Sequence, residues 1–115
     1  MVVSRSARDE NLDRIFRALA NATRRDIVAR VLTGEQSVSD LAARYRMSFA
    51  AIQKHVAVLE EAGLVVKRPQ GRERLVRGNP ERIARVRDLL TELEALWRGR
   101  FSQLDDVLAE RNPEE

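Results

Sequence analysis

A mainly α-helical chain with one small β-hairpin is what this sequence predicts, in the order α-α-α-α-β-β-α. Three observations carry the expectation. Apolar residues recur at helical spacing between Leu12 and Leu59, and capping residues cut them into four segments. A β-branched ribbon around Pro69-Gln70-Gly71 follows. A single long apolar repeat then runs from Ile83 to Leu108 in steps of three or four.

The helical period begins near Asp9, where Leu12, Ile15, Phe16 and Leu19 share one face. Asn21 interrupts it and is suited to cap the next helix, marked by Ile27, Val28, Val31 and Leu32 and ended by Gly34 as a C′ residue. Ser37-Val38-Ser39-Asp40 has the form of a capping box with Asp in place of Glu. Leu41, Ala42 and Tyr45 form the inner side of the short helix it opens. Met47 and Ser48 break that helix, and Ser48 is placed to cap another, whose inner stripe is Ile52, Val56 and Leu59 and whose stop is Gly63. Leu64-Val65-Val66 and Leu75-Val76 flank a turn at Gly71, the pattern of a hairpin. Asn79-Pro80 gives a cap followed by Pro at the first helical position. Gly99 weakens the last helix by about 1 kcal/mol relative to Ala and marks a place where it could bend.

The domain expectation is a flexible stretch 1–8, one domain 9–111 with terminal dimerisation helices at 9–20 and 80–111, and a tail 112–115. Two short helices, a tight turn and a basic hairpin make a winged helix-turn-helix. Composition excludes much else. The chain has no Cys and one His, so a thiolate metal site, a disulfide, a multi-histidine cage and a thiol nucleophile are all out of reach. No metal or cofactor is expected, and no Ser/His/acid constellation or Gly-rich phosphate loop is present to support an enzyme. The longest apolar runs are far too short for a transmembrane span, and residues 1–10 show no apolar signal core. A cytoplasmic protein is the expectation.

Charge position points to a polyanion. The formal net charge is only +3. Residues 1–78 hold 15 basic and 9 acidic residues, a net of +6, while residues 79–115 hold 6 and 9, a net of −3. On a wheel of residues 48–62, Ala50, Gln53, Lys54 and Ala57 oppose the apolar stripe, with Phe49 at the flank. The two small residues let the backbone approach a groove. Gln53 has the donor and acceptor pair that adenine presents, and Lys54 reaches phosphate or guanine. Ser48 offers a helix N-terminus to phosphate. On the hairpin, Lys67, Arg68, Arg72, Arg74 and Arg77 face one acid, Glu73. Such a ribbon suits a phosphate-binding wing; a charged edge that only discourages aggregation is the plainer alternative. The expected partner is double-stranded DNA, through Ser48, Phe49, Ala50, Gln53, Lys54, Lys67, Arg68, Arg72 and Arg74, with Arg24 and Arg25 as secondary phosphate candidates. The competing function is a winged-helix protein-interaction module without specific DNA binding. His55 falls at the edge of the inner face, suited to a structural or backbone-contact role.

The last helix spans on the order of 45 Å and carries Val86, Leu90, Leu93, Trp97 and Phe101 on one wide stripe. That face needs a partner, and the stripe Leu12, Ile15, Phe16 and Leu19 is its natural complement in a homodimer. Two-fold symmetry would set two reading helices on half-sites about 34 Å apart, hence an inverted-repeat operator.

Three segments then carry a family resemblance covering about residues 12–108. They are Ile15-Phe16-Arg17-Ala18-Leu19-Ala20-Asn21-Ala22-Thr23-Arg24-Arg25, Ser37-Val38-Ser39-Asp40-Leu41-Ala42, and the run from Ser48 through Lys54-His55 to Leu59-Glu60-Glu61-Ala62-Gly63-Leu64-Val65. Together they resemble the ArsR/SmtB family of bacterial winged-helix repressors, with Ala22 where Pro is usual and Gln53 where a small Ser is usual. The resemblance implies a homodimeric repressor that occludes promoter DNA. Metal-sensing members carry Cys-Val-Cys where this chain has Ser37, Val38 and Ser39, and others use His on the last helix, which here has none. The resemblance therefore implies the metal-independent, often autoregulatory branch.

Overall fold

The computed structural model describes residues 6–111. The expected stretches 1–8 and 112–115 fall largely outside that range. The elements are α1 (Ala7–Leu19), α2 (Ala22–Thr33), β1 (Gln36–Ser37), α3 (Val38–Tyr45), α4 (Phe49–Glu61), β2 (Val65–Gln70), β3 (Glu73–Gly78) and α5 (Pro80–Arg111). The chain divides into two compact units, one up to Ile83 and one from Ala84 onward.

The first unit holds the helices and sheet that sequence patterning anticipates, with three differences. Helix α1 starts at Ala7 rather than Asp9, because the Ser6 side chain accepts the Asp9 N–H and caps the first turn. Gly34 closes α2 in an extended conformation, φ −180°, rather than as a left-handed C′ residue, and leads directly into a strand. That strand, β1, is the third difference. Gln36 pairs with Val76 and Ser37 with Leu75, so the hairpin becomes a three-stranded antiparallel sheet in the order β1-β3-β2.

Each helix start follows from a short polar side chain. The Asn21 carboxamide oxygen accepts from Arg24 N at 3.1 Å, the Ser37 hydroxyl from Asp40 N at 3.0 Å, and the Ser48 hydroxyl from Ala51 N at 3.1 Å. These bonds satisfy N–H groups that the first turn of any helix leaves unpaired. Asn79 is placed differently: its carbonyl accepts from Arg82 N and its amide nitrogen donates to Gly63 O at 3.0 Å, tying the entry of α5 to the exit of α4. Gly63 takes φ +76°, and a side chain there would meet the Arg82 guanidinium at 2.6–2.8 Å. Gly71, φ +62°, opens the two-residue turn between the paired Gln70 and Glu73. Pro69 sits on β2, an edge strand where a missing N–H is tolerated.

The core joins every element of this unit. Ile15 and Ala18 of α1 meet Ile27, Val28 and Val31 of α2, Val38 and Leu41 of α3, Ile52, Val56 and Leu59 of α4, and Leu64, Val65 and Val76 around the sheet. Each of these Ile, Leu and Val side chains contributes about 1.5–3 kcal/mol by leaving water. A polar tie is added by Tyr45, whose hydroxyl donates to the Asp26 carboxylate on α2, itself 3.4 Å from Arg30 Nε. Burial and this bond push the Tyr45 phenol up to about 12.

The second unit is the continuation of α5. The helix runs through Gly99 without a break. Trp97 and Phe101 pack edge to face, centroids 4.5 Å apart.

Two outcomes test this account. Ser37→Ala removes the cap of α3 and should cost about 1 kcal/mol, read as a lower urea midpoint with an unchanged slope; an unaltered midpoint contradicts the role. Tyr45 is the only tyrosine, so its ultraviolet titration reads one group. The midpoint should stand near 12 and fall toward the ordinary 10 in Asp26→Asn. Because the folded value lies above the unfolded one, this tie is intact below pH 10 and is lost as pH rises toward 12.

Candidate nucleic-acid interface

The helix-turn-helix is α3, the turn Arg46–Ser48 and α4. The turn is compact because Arg46 adopts a left-handed conformation, φ 55°, and Met47 N donates to Ala42 O at 3.1 Å. A non-glycine residue in that region costs roughly 1–2 kcal/mol, here offset by the packing of α3 on α4.

Helix α4 divides as its periodicity requires. Ile52, Val56 and Leu59 face the core and are fully buried. Phe49, Ala50, Lys54 and Ala57 are exposed, and Gln53 is half-buried. The five expected contacts Ser48, Phe49, Ala50, Gln53 and Lys54 thus all lie at the N-terminal half of one helix. His55 is half-buried; burial, aided by the nearby Arg24 charge, holds its imidazole below the ordinary value, so it is neutral at physiological pH.

The wing cations separate into two kinds. At the tip, Arg72 and Arg74 are exposed and have no ion pair among the described residues. Nearer the base, Lys67 lies 3.5 Å from Glu60 with only 19% of its side chain exposed. Arg68 is gripped by Glu35 through two bonds of 2.9 Å each. That bond, with the charges of Arg68 and Arg77, holds the Glu35 carboxyl below the usual carboxylate value. Glu35 reaches this position because it precedes β1, the strand that patterning did not reveal.

Arg24 and Arg25, considered for phosphate, serve another purpose. Arg24 donates to the carbonyls of Ala18 (2.6 Å) and Arg17 (3.1 Å), and Arg25 to that of Leu19 (2.7 Å). They close the carboxyl end of α1, where unpaired carbonyls and the helix dipole favour cations. Arg44 and Arg46, which sequence reasoning passed over, are exposed at the end of α3 and in the turn before α4, with no ion pair among the described residues. Their signal was present as two cations in a three-residue window flanking the turn.

Of the residues expected at a dimer interface, Ile15 has no exposed surface and belongs to the core of its own unit. Phe16 is exposed, and Leu12, Leu19 and Val86 are half-buried. Leu90, Leu93, Trp97 and Phe101 are 48–58% exposed along α5. Among the described residues no helix is long and apolar enough to cross a membrane.

Residues 21–67, which hold α2, the helix-turn-helix and the start of the wing, match the family described as bacterial regulatory protein, arsR family. The chain is 39% identical over 85 residues to the HTH-type transcriptional regulator Rv2034 of Mycobacterium tuberculosis, an alignment covering 74% of this chain and 77% of the relative. Among solved structures it is similar to an ArsR-like transcriptional regulator from Rhodococcus sp. RHA1, with TM-score 0.76 and 29% identity over 89% of this chain and 96% of that one. It is also similar to the homodimeric winged helix-turn-helix DNA-binding domain Mb0332 from Mycobacterium bovis, a possible ArsR-family regulator, with TM-score 0.62 and 26% identity over 82% and 91%. The chain belongs to the arsR family of bacterial regulatory proteins and is a transcriptional regulator built on a winged helix-turn-helix.

Proposed function

We propose that the chain acts as a homodimeric repressor that binds an inverted-repeat operator and excludes other proteins from promoter DNA. One observation carries this reading. In the helix-turn-helix and wing, Arg44, Arg46, Lys54, Arg72 and Arg74 are exposed with no ion pair among the described residues, and Arg77 is exposed near the charge of Glu35. They flank the face of α4 made of Ala50, Gln53 and Ala57. Small residues with cations around them suit a helix that must sit close to base edges while its neighbours hold phosphates. Ser48, Phe49 and Lys54 stand at the end of α4 that would enter the groove first. Arg72 and Arg74 extend the wing along the backbone.

A second copy completes the operator reader. The exposed face of α5 supplies Leu90, Leu93, Trp97 and Phe101, and the homodimeric state of the Mycobacterium bovis neighbour supports a like assembly. Ser37 and Ser39 stand where metal-sensing relatives carry thiolates, and the Ser37 hydroxyl is committed to capping α3. This supports the metal-independent branch, with autoregulation tested on the DNA upstream of the gene itself.

Fluorescence anisotropy on that upstream DNA tests the reading. Arg72→Ala should weaken binding to every duplex and flatten the plot of log K against log salt by about one unit; an unchanged slope removes Arg72 from the phosphate set. Leu93→Asp should convert the dimer to monomer in sedimentation velocity and abolish operator binding. A dimer that persists in this variant contradicts the α5 interface.

A further inference from the structure

The wing holds a cation that it does not leave free. Arg68 lies on β2, the edge strand, with both guanidinium bonds directed to Glu35 rather than to solvent. Its side chain remains 53% exposed, so phosphate has access to the same group. Glu35 is 27% exposed and also feels Arg77, which β3 carries opposite Val66. Two acceptors therefore compete for one fork of donors. The carboxylate offers the bidentate geometry that guanidinium prefers, and a backbone phosphate diester offers two oxygens and the same single charge, set among its neighbours in a polyanion.

We propose that Glu35 is a specificity-determining residue that withholds Arg68 from DNA of arbitrary sequence and releases it only on the operator. The inference rests on the DNA-binding reading above. On random DNA the wing is not fixed in register, so no phosphate is held where it can displace Glu35. On the operator, the base contacts of α4 fix the register, and one phosphate is held beside Arg68 long enough to exchange. Arg77 makes the exchange affordable, since the released carboxylate keeps a cation beside it. The result is a lower background affinity with the operator contact retained, and background affinity sets how much of a regulator is lost to the rest of a genome.

The Lys67–Glu60 pair repeats the arrangement once, at 3.5 Å, on the inner side of the same strand. Lys67 is more buried and joined by a single charge contact, so it braces the wing against α4 rather than gating a phosphate.

The test uses the full chain and two probes: a random-sequence duplex, and the duplex that wild-type protein enriches from a random pool. Glu35→Gln keeps the shape and loses the charge. It should bind the random duplex about threefold to fivefold more tightly, with a salt slope steeper by about one unit, the mark of one added phosphate contact. Operator affinity should change less, so the ratio of the two falls. Arg68→Lys, which keeps the charge but loses the bidentate grip, should move random-duplex binding the same way. The gain should vanish when Glu35→Gln is placed in an Arg68→Ala background. Unchanged or weaker random-duplex binding in a Glu35→Gln protein of wild-type thermal midpoint overturns the proposal. Wild-type protein that binds neither duplex overturns the DNA-binding reading itself, a distinguishable failure.

Discussion

Ser37 is the point on which the arrangement of the reading head depends. Its backbone pairs with Leu75 and so ties β1 to the hairpin, and its hydroxyl caps α3. It is also buried, at 3% exposure. One residue thus ends a strand, starts a helix and fixes the angle between wing and helix-turn-helix. A buried hydroxyl is costly unless it is hydrogen-bonded, and here its oxygen accepts the Asp40 N–H in the geometry that sets α3 against the sheet. Everything downstream inherits that geometry: α3 places the turn, the turn places Ser48, and Ser48 starts α4 with its small residues outward.

The basic residues of the first unit are not one electrostatic patch. Arg24 and Arg25 close α1, Arg30 sits beside Asp26, Arg82 covers the exit of α4 at Gly63, and Lys67 and Arg68 answer Glu60 and Glu35. These six already have neighbours within the protein, although Arg68 keeps an exposed fork that phosphate can reach. Within the helix-turn-helix and wing, Arg44, Arg46, Lys54, Arg72 and Arg74 remain for a polyanion, with Arg77 exposed beside Glu35. The net charge of +6 is therefore an imperfect guide to the field a DNA duplex would meet. What matters is which guanidinium groups already have a carboxylate or a carbonyl.

Much of the fold was legible because its signals are local. Asn21, Ser37 and Ser48 announce helix starts by the chemistry of their own side chains, and Gly63 and Gly71 mark places where backbone φ must be positive. Strand β1 was not legible. Two residues carry no periodicity, and their pairing with Val76 and Leu75 is settled nearly forty positions away. Missing β1 concealed Glu35, and with it the partner of Arg68. Ile15 was misplaced for a related reason: a four-residue apolar stripe does not say which members face the protomer's own core and which face outward. The outward face of α4 was readable because one helix, with one buried stripe, leaves only one other side. The continuity of α5 through Gly99 shows the reverse case, in which a single glycine's cost of about 1 kcal/mol is outweighed by a 32-residue helix.

The central claim is that two copies of α4, flanked by uncommitted cations, read an inverted repeat. Selection of bound duplexes from a random pool by the wild-type protein, followed by sequencing, addresses it most directly. The account predicts enrichment of a two-fold symmetric site whose half-site centres lie about one helical turn, roughly 34 Å, or a multiple of it apart. A pool that stays random after repeated rounds, or that enriches an asymmetric single half-site, would contradict it.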